Sequence, residues 1–366
     1  MSGFSLQPRP ELAGRAIAWL MFAVLLTACV PLRPAIPELE LTLPQYPIAL
    51  PTGFGINVFA GGLQEAHGMA IGPGGHLYVA ERGTGRIVRL PDRNLDGSAD
   101  AREVVGDGLT SPASLAFMRD GSLLVAGASR ITRLSQPDDQ GFYMKYEILI
   151  DDFLLGGQYA PVLRITPDES FLLVANIAAP STGRDAAQRS QQGAILRYNP
   201  DGSGACAVAS APGSIGGMAF RPGTDELWVT AALHGRPDAL YRVAAGTAVG
   251  CDQALQLAAE LPANSAPLGL AFYTADRFPP SYRGSLFVAL HGSWESRRPL
   301  GFKIVYLPLV GGQPTPAQDW ATGWLIDPPG RSWGRPVDLI SGPDGSLYLT
   351  DGSRGFVYRI YYLGDD

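Results

Sequence analysis

GPDGSLYLTDGSRGFVYRI, residues 342–360, repeats in outline the stretch GPGGHLYVAERGTGRIVRL at 72–90. Each copy runs from a turn of Gly, Pro or Asp through an alternating strand, a second Gly turn and another alternating strand, which is the signature of a β-hairpin. Four further copies lie between them: MRDGSLLVAGASRITRL (118–134), TPDESFLLVANI with GAILRYNP (166–177 and 193–200), RPGTDELWVTAALHGRPDALYRV (221–243) and YRGSLFVALHGSWESRRPLGFKIVYLPL (282–309). Six recurrences of one hairpin make a repeat architecture.

Each hairpin follows a short strand that reads small, apolar, small: HGMAI, ASLAF, PVLRI, GGMAF, LGLAF and PVDLI. Most are followed by a fourth strand, such as AREVV, YEILI, CAVAS or LQLAA. Four strands in each of six units predict an all-β chain folded as a six-bladed β-propeller of four-stranded blades. The last unit stops after three strands at VYRIYYL, and FGINVFAGG (54–62) stands unpartnered before the first. Pairing the two closes the ring through an N-terminal strand and leaves no exposed sheet edge, whereas the alternative, an open solenoid, would keep both ends.

Composition agrees with a turn-rich, weakly charged β domain: 45 Gly, 31 Pro, 46% hydrophobic and 17% charged residues. A formal charge of −6 with no basic stripe excludes nucleic acid as a partner and leaves small or neutral ones. At the N-terminus, Arg9 and Arg15 precede the apolar run AIAWLMFAVLL, which ends in Leu26-Thr27-Ala28-Cys29. That junction resembles the lipobox of bacterial lipoproteins. It implies cleavage after residue 28, lipidation of Cys29 and export to the cell envelope on a lipid anchor. Residues 29–52, with six prolines in VPLRPAIPELELTLPQYPIALP, then read as a semi-rigid tether to the propeller at 53–366.

Other residues carry candidate chemistry. DRNLDGSADARE (92–103) places Asp92, Asn94, Asp96, Gly97, Asp100 and Glu103 at the first, third, fifth, sixth, ninth and twelfth places of a calcium loop, although strands and not helices flank it. The alternative is an acidic surface turn. Cys206 and Cys251 are a possible disulfide in an exported chain, or two buried thiols. Four histidines show no metal-ligand spacing; His76 and His234 fall in turns, whereas His67 and His291 stand where a side chain can face the central mouth.

LHGSWESRRPLGFKIVYLPL, GRPVDLISGPDGSLYLTDGSRGFVYRI, GAILRYNPDGSG and MAFRPGTDELWVT together resemble the glucose/sorbosone dehydrogenase family, across residues 54–362. That resemblance implies oxidation of a sugar or sugar-derived aldehyde, with pyrroloquinoline quinone and calcium at the mouth. It implies that Lys303, Trp333 and Arg335 hold the quinone, whose carboxylates suit cations. The family's Gly-Gly-His with a following Arg is GGQYAPVL here, so Gln158 stands at the place of the general base and Pro161 at the place of the arginine. Gln158 cannot accept a proton. Gly213 and Ser214 replace an Arg-Asn pair of the family's fourth unit.

Three functions follow from these residues. One is a quinone-dependent sugar dehydrogenase whose base has moved to His67 or His291. Another is a lipid-anchored propeller that has lost catalysis and binds carbohydrate or protein. A lactonase-like metal hydrolase would need inward acidic and amide ligands that the inner strands do not supply. The substrate class in the first is a small sugar or aldehyde, and the sequence names no electron acceptor. The anchor makes the first prediction: in Cys29→Ser cells the protein should leave the membrane fraction, and an unchanged membrane pool would refute lipidation there.

Overall fold

The computed structural model describes residues 44–151, 153, 159–176, 193–233, 235–243, 250–293, 299–326 and 331–364, together with residue 1. Cys29 and Gln158 lie outside these residues, as does His234. The chain divides into Met1–Ala35 and Ile36–Asp366, and the propeller lies wholly in the second unit. Its six four-stranded antiparallel sheets are the six expected blades. Blade 1 is Ala66–Ile71, Leu77–Glu81, Arg86–Leu90 and Glu103–Gly106; blade 2 is Ser114–Phe117, Leu123–Ala126, Ile131–Pro137 and Tyr143–Ile150. Blade 3 is Val162–Ile165, Leu172–Ala175, Gly193–Tyr198 and Cys206–Ala211; blade 4 is Ser214–Phe220, Leu227–Ala232, Asp238–Val243 and Gln256–Leu261. Blade 5 is Pro267–Phe272, Leu286–Leu290, Lys303–Leu307 and Gln318–Thr322. Blade 6 takes Pro336–Ser341, Leu347–Asp351 and Phe356–Tyr362 from the end of the chain and Phe54–Ala60 from its beginning. The only helices among the described residues are single 3-10 turns at Pro73–Gly75 and Pro280–Tyr282.

The closing strand pairs in register from Phe54 with Tyr362 to Val58 with Tyr358, so the expected partner of FGINVFAGG is the observed one. Closure removes the unpaired strand that either end alone would expose. Six buried apolar clusters fill the spaces between adjacent blades, one at each junction. The alternation read from sequence explains them, because the two faces of each blade meet different neighbours and both must be apolar. The junction of blades 5 and 6 is the most aromatic, with Phe54 edge-on to Phe278, Tyr282 and Trp320 at centroid distances of 4.8, 5.3 and 5.3 Å.

The innermost strands are small for a steric reason. A β-carbon on Gly68 would lie 2.4 Å from the carbonyl oxygen of Ala113, and one on Gly216 only 1.7 Å from that of Pro267. Neighbouring inner strands therefore touch backbone to backbone around the axis.

Two further contacts tie the periphery. Cys206 and Cys251 form a disulfide between the outer strand of blade 3 and the segment leading to the outer strand of blade 4. Alongside it, the amides of Asp252 and Gln253 donate to Ala207 and Val208 carbonyls at 2.9 and 2.6 Å, covering that blade edge. At the N-terminal side, Ala49 exchanges two hydrogen bonds with Thr322, and Ile48 and Leu50 rest on the cluster between blades 5 and 6. Contact with the propeller thus begins before residue 53, where composition placed its boundary. The disulfide closes a loop of 45 residues, so the double variant Cys206→Ser/Cys251→Ser should lose about 2–4 kcal/mol in urea denaturation. Equal stability of variant and wild type under non-reducing conditions would show that the bridge contributes nothing.

Candidate functional site

Inner strands deliver side chains to the mouth through bulges. Register shifts between Ala66 and Met69, Ile215 and Gly217, Pro267 and Leu270, and Pro336 and Leu339 break four of the six inner hairpins. Each shift bends its strand locally and re-aims the residues within it. His67, Gly216, Leu268 and Asp338, which lie within them, all line one axial cavity of about 920 Å³.

The cavity wall is chemically lopsided. From the end of blade 5 through blade 6 to blade 1 it presents His291, Arg335, His67 and Arg82 beside the acidic Asp338 and Glu65, whereas blades 3 and 4 present Tyr159, Ala160, Pro161, Gly217 and Leu233 with Arg164 and Asp238 as their charged groups. His67 Nδ1 lies 2.8 Å from the carbonyl oxygen of Ala113. A carbonyl only accepts, so Nδ1 carries the proton and Nε2 keeps its lone pair. Burial, reinforced by Arg82, lowers the His67 pKa to about 4, and the ring is neutral at physiological pH. His291 repeats the arrangement two blades, or one-third of the ring, away: Nδ1 is 2.9 Å from Pro336 O, and burial chiefly lowers its pKa to about 4. Both histidines brace their blade against the inner strand of the next. That structural duty also fixes the tautomer.

The guanidinium of Arg335 lies over the Phe302 ring, 4.9 Å from its centroid. Arg82 Nε donates to Ser111 Oγ at 3.3 Å. Asp238, although on the wall, is spent on structure. It accepts from Leu233 N and Ser265 N at 2.8 Å each and from Ala266 N at 3.1 Å, holding the approach to blade 5. Deeper in the axis, Arg164 and Asp338 line both this cavity and a second one of about 420 Å³ beyond it. They are the floor of the mouth. Sequence reasoning overlooked both, although a visible signal existed: PVLRI and PVDLI are the inner strands that carry a charge, of opposite sign, in units three apart.

Other expected site residues stand elsewhere. Lys303 opens the third strand of blade 5 and pairs with Asp319 of the outer strand at 2.5 Å, outside the cavity lining. Trp333 is buried, stacked on Trp324 at 6.4 Å, with its indole N–H donated to Gly323 O at 2.5 Å. Of that trio, Arg335 alone reaches the mouth, because the residues differ in strand position and not merely in motif. The wall nevertheless includes Tyr159 and Pro161, the neighbours of Gln158. Gly213 leaves no room for a larger residue, since a β-carbon there would be 2.0 Å from Ala232 O.

The loop expected to bind calcium does not gather its oxygens about one point. Asp92 accepts from the amides of Asp96 and Gly97 at 3.1 and 3.0 Å, Asp96 from Ser98 N at 2.8 Å, and Asp100 from Arg93 N at 2.5 Å. Asn94 donates to Asp96 at 2.9 Å, and Glu103 turns away to Arg89 and Arg93 at 2.6 and 2.5 Å. Among the described residues no group of three or more His, Cys, Asp or Glu is placed to hold a metal ion. The loop is instead a brace: Asn57 donates to Gly97 O at 2.7 Å and Ala99 N to Phe59 O at 2.8 Å, tying blade 1 to the ring-closing strand.

Asp351 supports the basic wall from behind. One carboxylate oxygen accepts from Arg335 N, Ser353 N, Ser353 Oγ and Arg354 N at 2.9, 3.1, 3.0 and 3.1 Å. The other oxygen is buried without a hydrogen-bond partner among the described residues. Burial raises the Asp351 pKa to about 6 from 3.8, so the folded chain binds this proton more tightly than the unfolded chain. Stability should therefore fall as pH rises from 4 to 6 and level off above it. In Asp351→Asn that fall, read from urea midpoints, should flatten; an unaltered slope would assign it to other groups.

Comparison with known proteins follows the same geometry. A family model described as a domain of unknown function (DUF7133) matches residues 46–236, more than half of the chain, and one described as TrAA12-like matches residues 242–362. An uncharacterized protein of Borreliella burgdorferi is 42% identical over 106 residues, which are 28% of this chain and 27% of that protein. A pyrroloquinoline quinone-dependent pyranose dehydrogenase of Coprinopsis cinerea is 28% identical over 121 residues, 27% of this chain and 15% of that one. The chain therefore spans about a quarter or less of the length of the curated relatives it matches. Among solved structures, the holo pyranose dehydrogenase PQQ domain of Coprinopsis cinerea superposes with a TM-score of 0.68 at 17% identity, covering 87% of this chain and 98% of that one. The fold is that of the quinone-dependent sugar dehydrogenase propellers, as the motifs implied.

Proposed function

We propose for this chain, which belongs to the family described as a domain of unknown function (DUF7133), the function of a quinone-dependent oxidoreductase acting on a sugar or sugar-derived aldehyde. The observation that carries the reading is the arc of the mouth from blade 5 to blade 1, where two guanidinium groups and two neutral imidazoles line a cavity of about 920 Å³. Pyrroloquinoline quinone is flat and carries three carboxylates. The donor set fits it: Arg82 and Arg335 would hold carboxylates along the basic arc. When bound, the quinone supplies a two-electron acceptor for the hydride of the substrate carbon.

The chain's own part is to move the hydroxyl proton. With Gln158 at the usual base position unable to accept one, His67 is our candidate: its Nε2 has the lone pair, because Nδ1–H is committed to Ala113 O. His291 is presented in the same tautomer and is the second candidate. The lowered pKa keeps the acceptor deprotonated at neutral pH but makes it a weaker base than an exposed histidine. Work outside the cytoplasmic membrane is part of the same reading, supported by the Leu26-Thr27-Ala28-Cys29 junction and by the disulfide.

The test is reconstitution. The isolated protein, titrated with pyrroloquinoline quinone, should quench its tryptophan fluorescence and then reduce a dye when aldoses are added. His67→Asn should retain the quinone and lose about 10²–10⁴ of the rate, whereas Arg335→Ala should weaken quinone binding first. Full activity in His67→Asn would pass the role to His291. A wild-type protein that retains no quinone would leave a binding propeller in its place.

A further inference from the structure

Arg164 and Asp338 are an unusual pair to find on the axis of a propeller. They stand on the inner strands of blades 3 and 6, three blades apart and so on opposite sides of the ring. Each feels the other's charge, yet no ion pair joins them among the described residues. Both are pinned where they are. Arg164 donates through Nε to Met218 O at 2.7 Å and through Nη1 to Leu163 O at 2.8 Å and Ser114 Oγ at 3.4 Å, which leaves Nη2 with no hydrogen-bond partner among the described residues. Asp338 accepts from Met69 N at 2.8 Å and Leu339 N at 3.0 Å, and its own amide donates to Thr350 Oγ1 at 3.0 Å. Thr350 in turn donates to His67 O at 2.7 Å, so the carboxylate is fixed to the bulge that carries His67.

Opposite charges held apart in a desolvated channel are costly unless something between them completes their hydrogen bonds. The chemistry of the filler is narrow. An anion would meet Asp338 and a cation Arg164, whereas one hydroxyl oxygen accepts from Nη2 and donates to a spare lone pair of the carboxylate. Because both residues line the floor of the mouth, a polyol entering from above brings such hydroxyls to them. We infer that Arg164 and Asp338 form a hydroxyl-reading floor that selects neutral sugars over their acidic and amino analogues. This deepens the function proposed above by naming the chemistry of its substrate, but it needs neither cofactor nor turnover.

Binding is therefore measured on the quinone-free protein, by saturation-transfer NMR and calorimetry, with D-glucose, D-galactose, D-mannose, D-glucuronate and D-glucosamine. At least one neutral sugar should bind about tenfold or more tightly than both charged ones. Asp338→Asn, nearly isosteric, should weaken that sugar by about 10- to 100-fold, as expected for loss of a hydrogen bond to a charged group, and should narrow the discrimination against glucuronate. Arg164→Lys keeps the charge but not the fork, and should weaken the same sugar; it stands in if Asp338→Asn melts early in a circular-dichroism control. No binding of any neutral sugar, equal binding of the charged analogues, or unchanged affinity in a folded variant of the pair would overturn the inference. The two readings fail separately: sugar bound without quinone retention removes the oxidoreductase and keeps the floor, and quinone reduction with sugar affinity untouched in Asp338→Asn does the reverse.

Discussion

The contact on which the rest of the structure depends is the approach of one inner strand's backbone to the next around the axis. Where Gly216 meets Pro267 O or Gly68 meets Ala113 O, there is no space for even a methyl group. That closeness sets the radius of the ring and hence the width of the mouth. It also forces the braces between blades into polar side chains that reach across the gap, of which His67 and His291 are two, and Asn176 a third through Ile215 and Ala160. The two histidines recruited to hold neighbouring blades together thereby end up lining the cavity. Their hydrogen bonds dictate which nitrogen faces inward.

The architecture was open to reading because hairpins announce themselves locally, and because a closed ring has only one place for a strand that precedes the first unit. The site was harder, for reasons that differ from residue to residue. Lys303 and Trp333 lie in the right motif, but side-chain direction depends on strand position, and theirs points to the outer part of blade 5 and the aromatic junction. The oxygen pattern of residues 92–103 is one that turns also use, with short acidic side chains folding back on their own amides and Gly97 at φ +84°. Arg164 and Asp338 could have been found from the alternation that they break. What no local pattern reveals is that units three apart face one another.

A division of labour around the ring accounts for the departures from the expected motif. The arc from blade 5 to blade 1 carries Arg335, Arg82 and both imidazoles, while Pro161 lines the opposite side and Gly213 and Ser214 of blade 4 lie outside the cavity lining. At Gly213 the loss is steric as well as chemical, since the carbonyl of Ala232 occupies the space that a side chain would need. Two of the three guanidinium groups that line the cavity, and both of its imidazoles, thus stand against one wall. A flat bound molecule would have that basic edge to lie along.

The way the ring closes has a consequence for how the chain is made. Phe54–Ala60 emerges early from the ribosome and Phe356–Tyr362 late, yet they are partners in one sheet. The intervening synthesis covers on the order of 300 residues, or roughly 15–60 s at ordinary elongation rates. Blades 1 to 5 are each continuous in sequence and can form in order as they appear, whereas the earliest strand must wait, unpaired, for the latest. Its apolar side chains and unpaired edge are exposed to aggregation during that interval. The Asn57 and Phe59 contacts with the loop before the outer strand of blade 1 are local enough to form early, and they would hold the waiting strand against the first finished blade until the last one arrives.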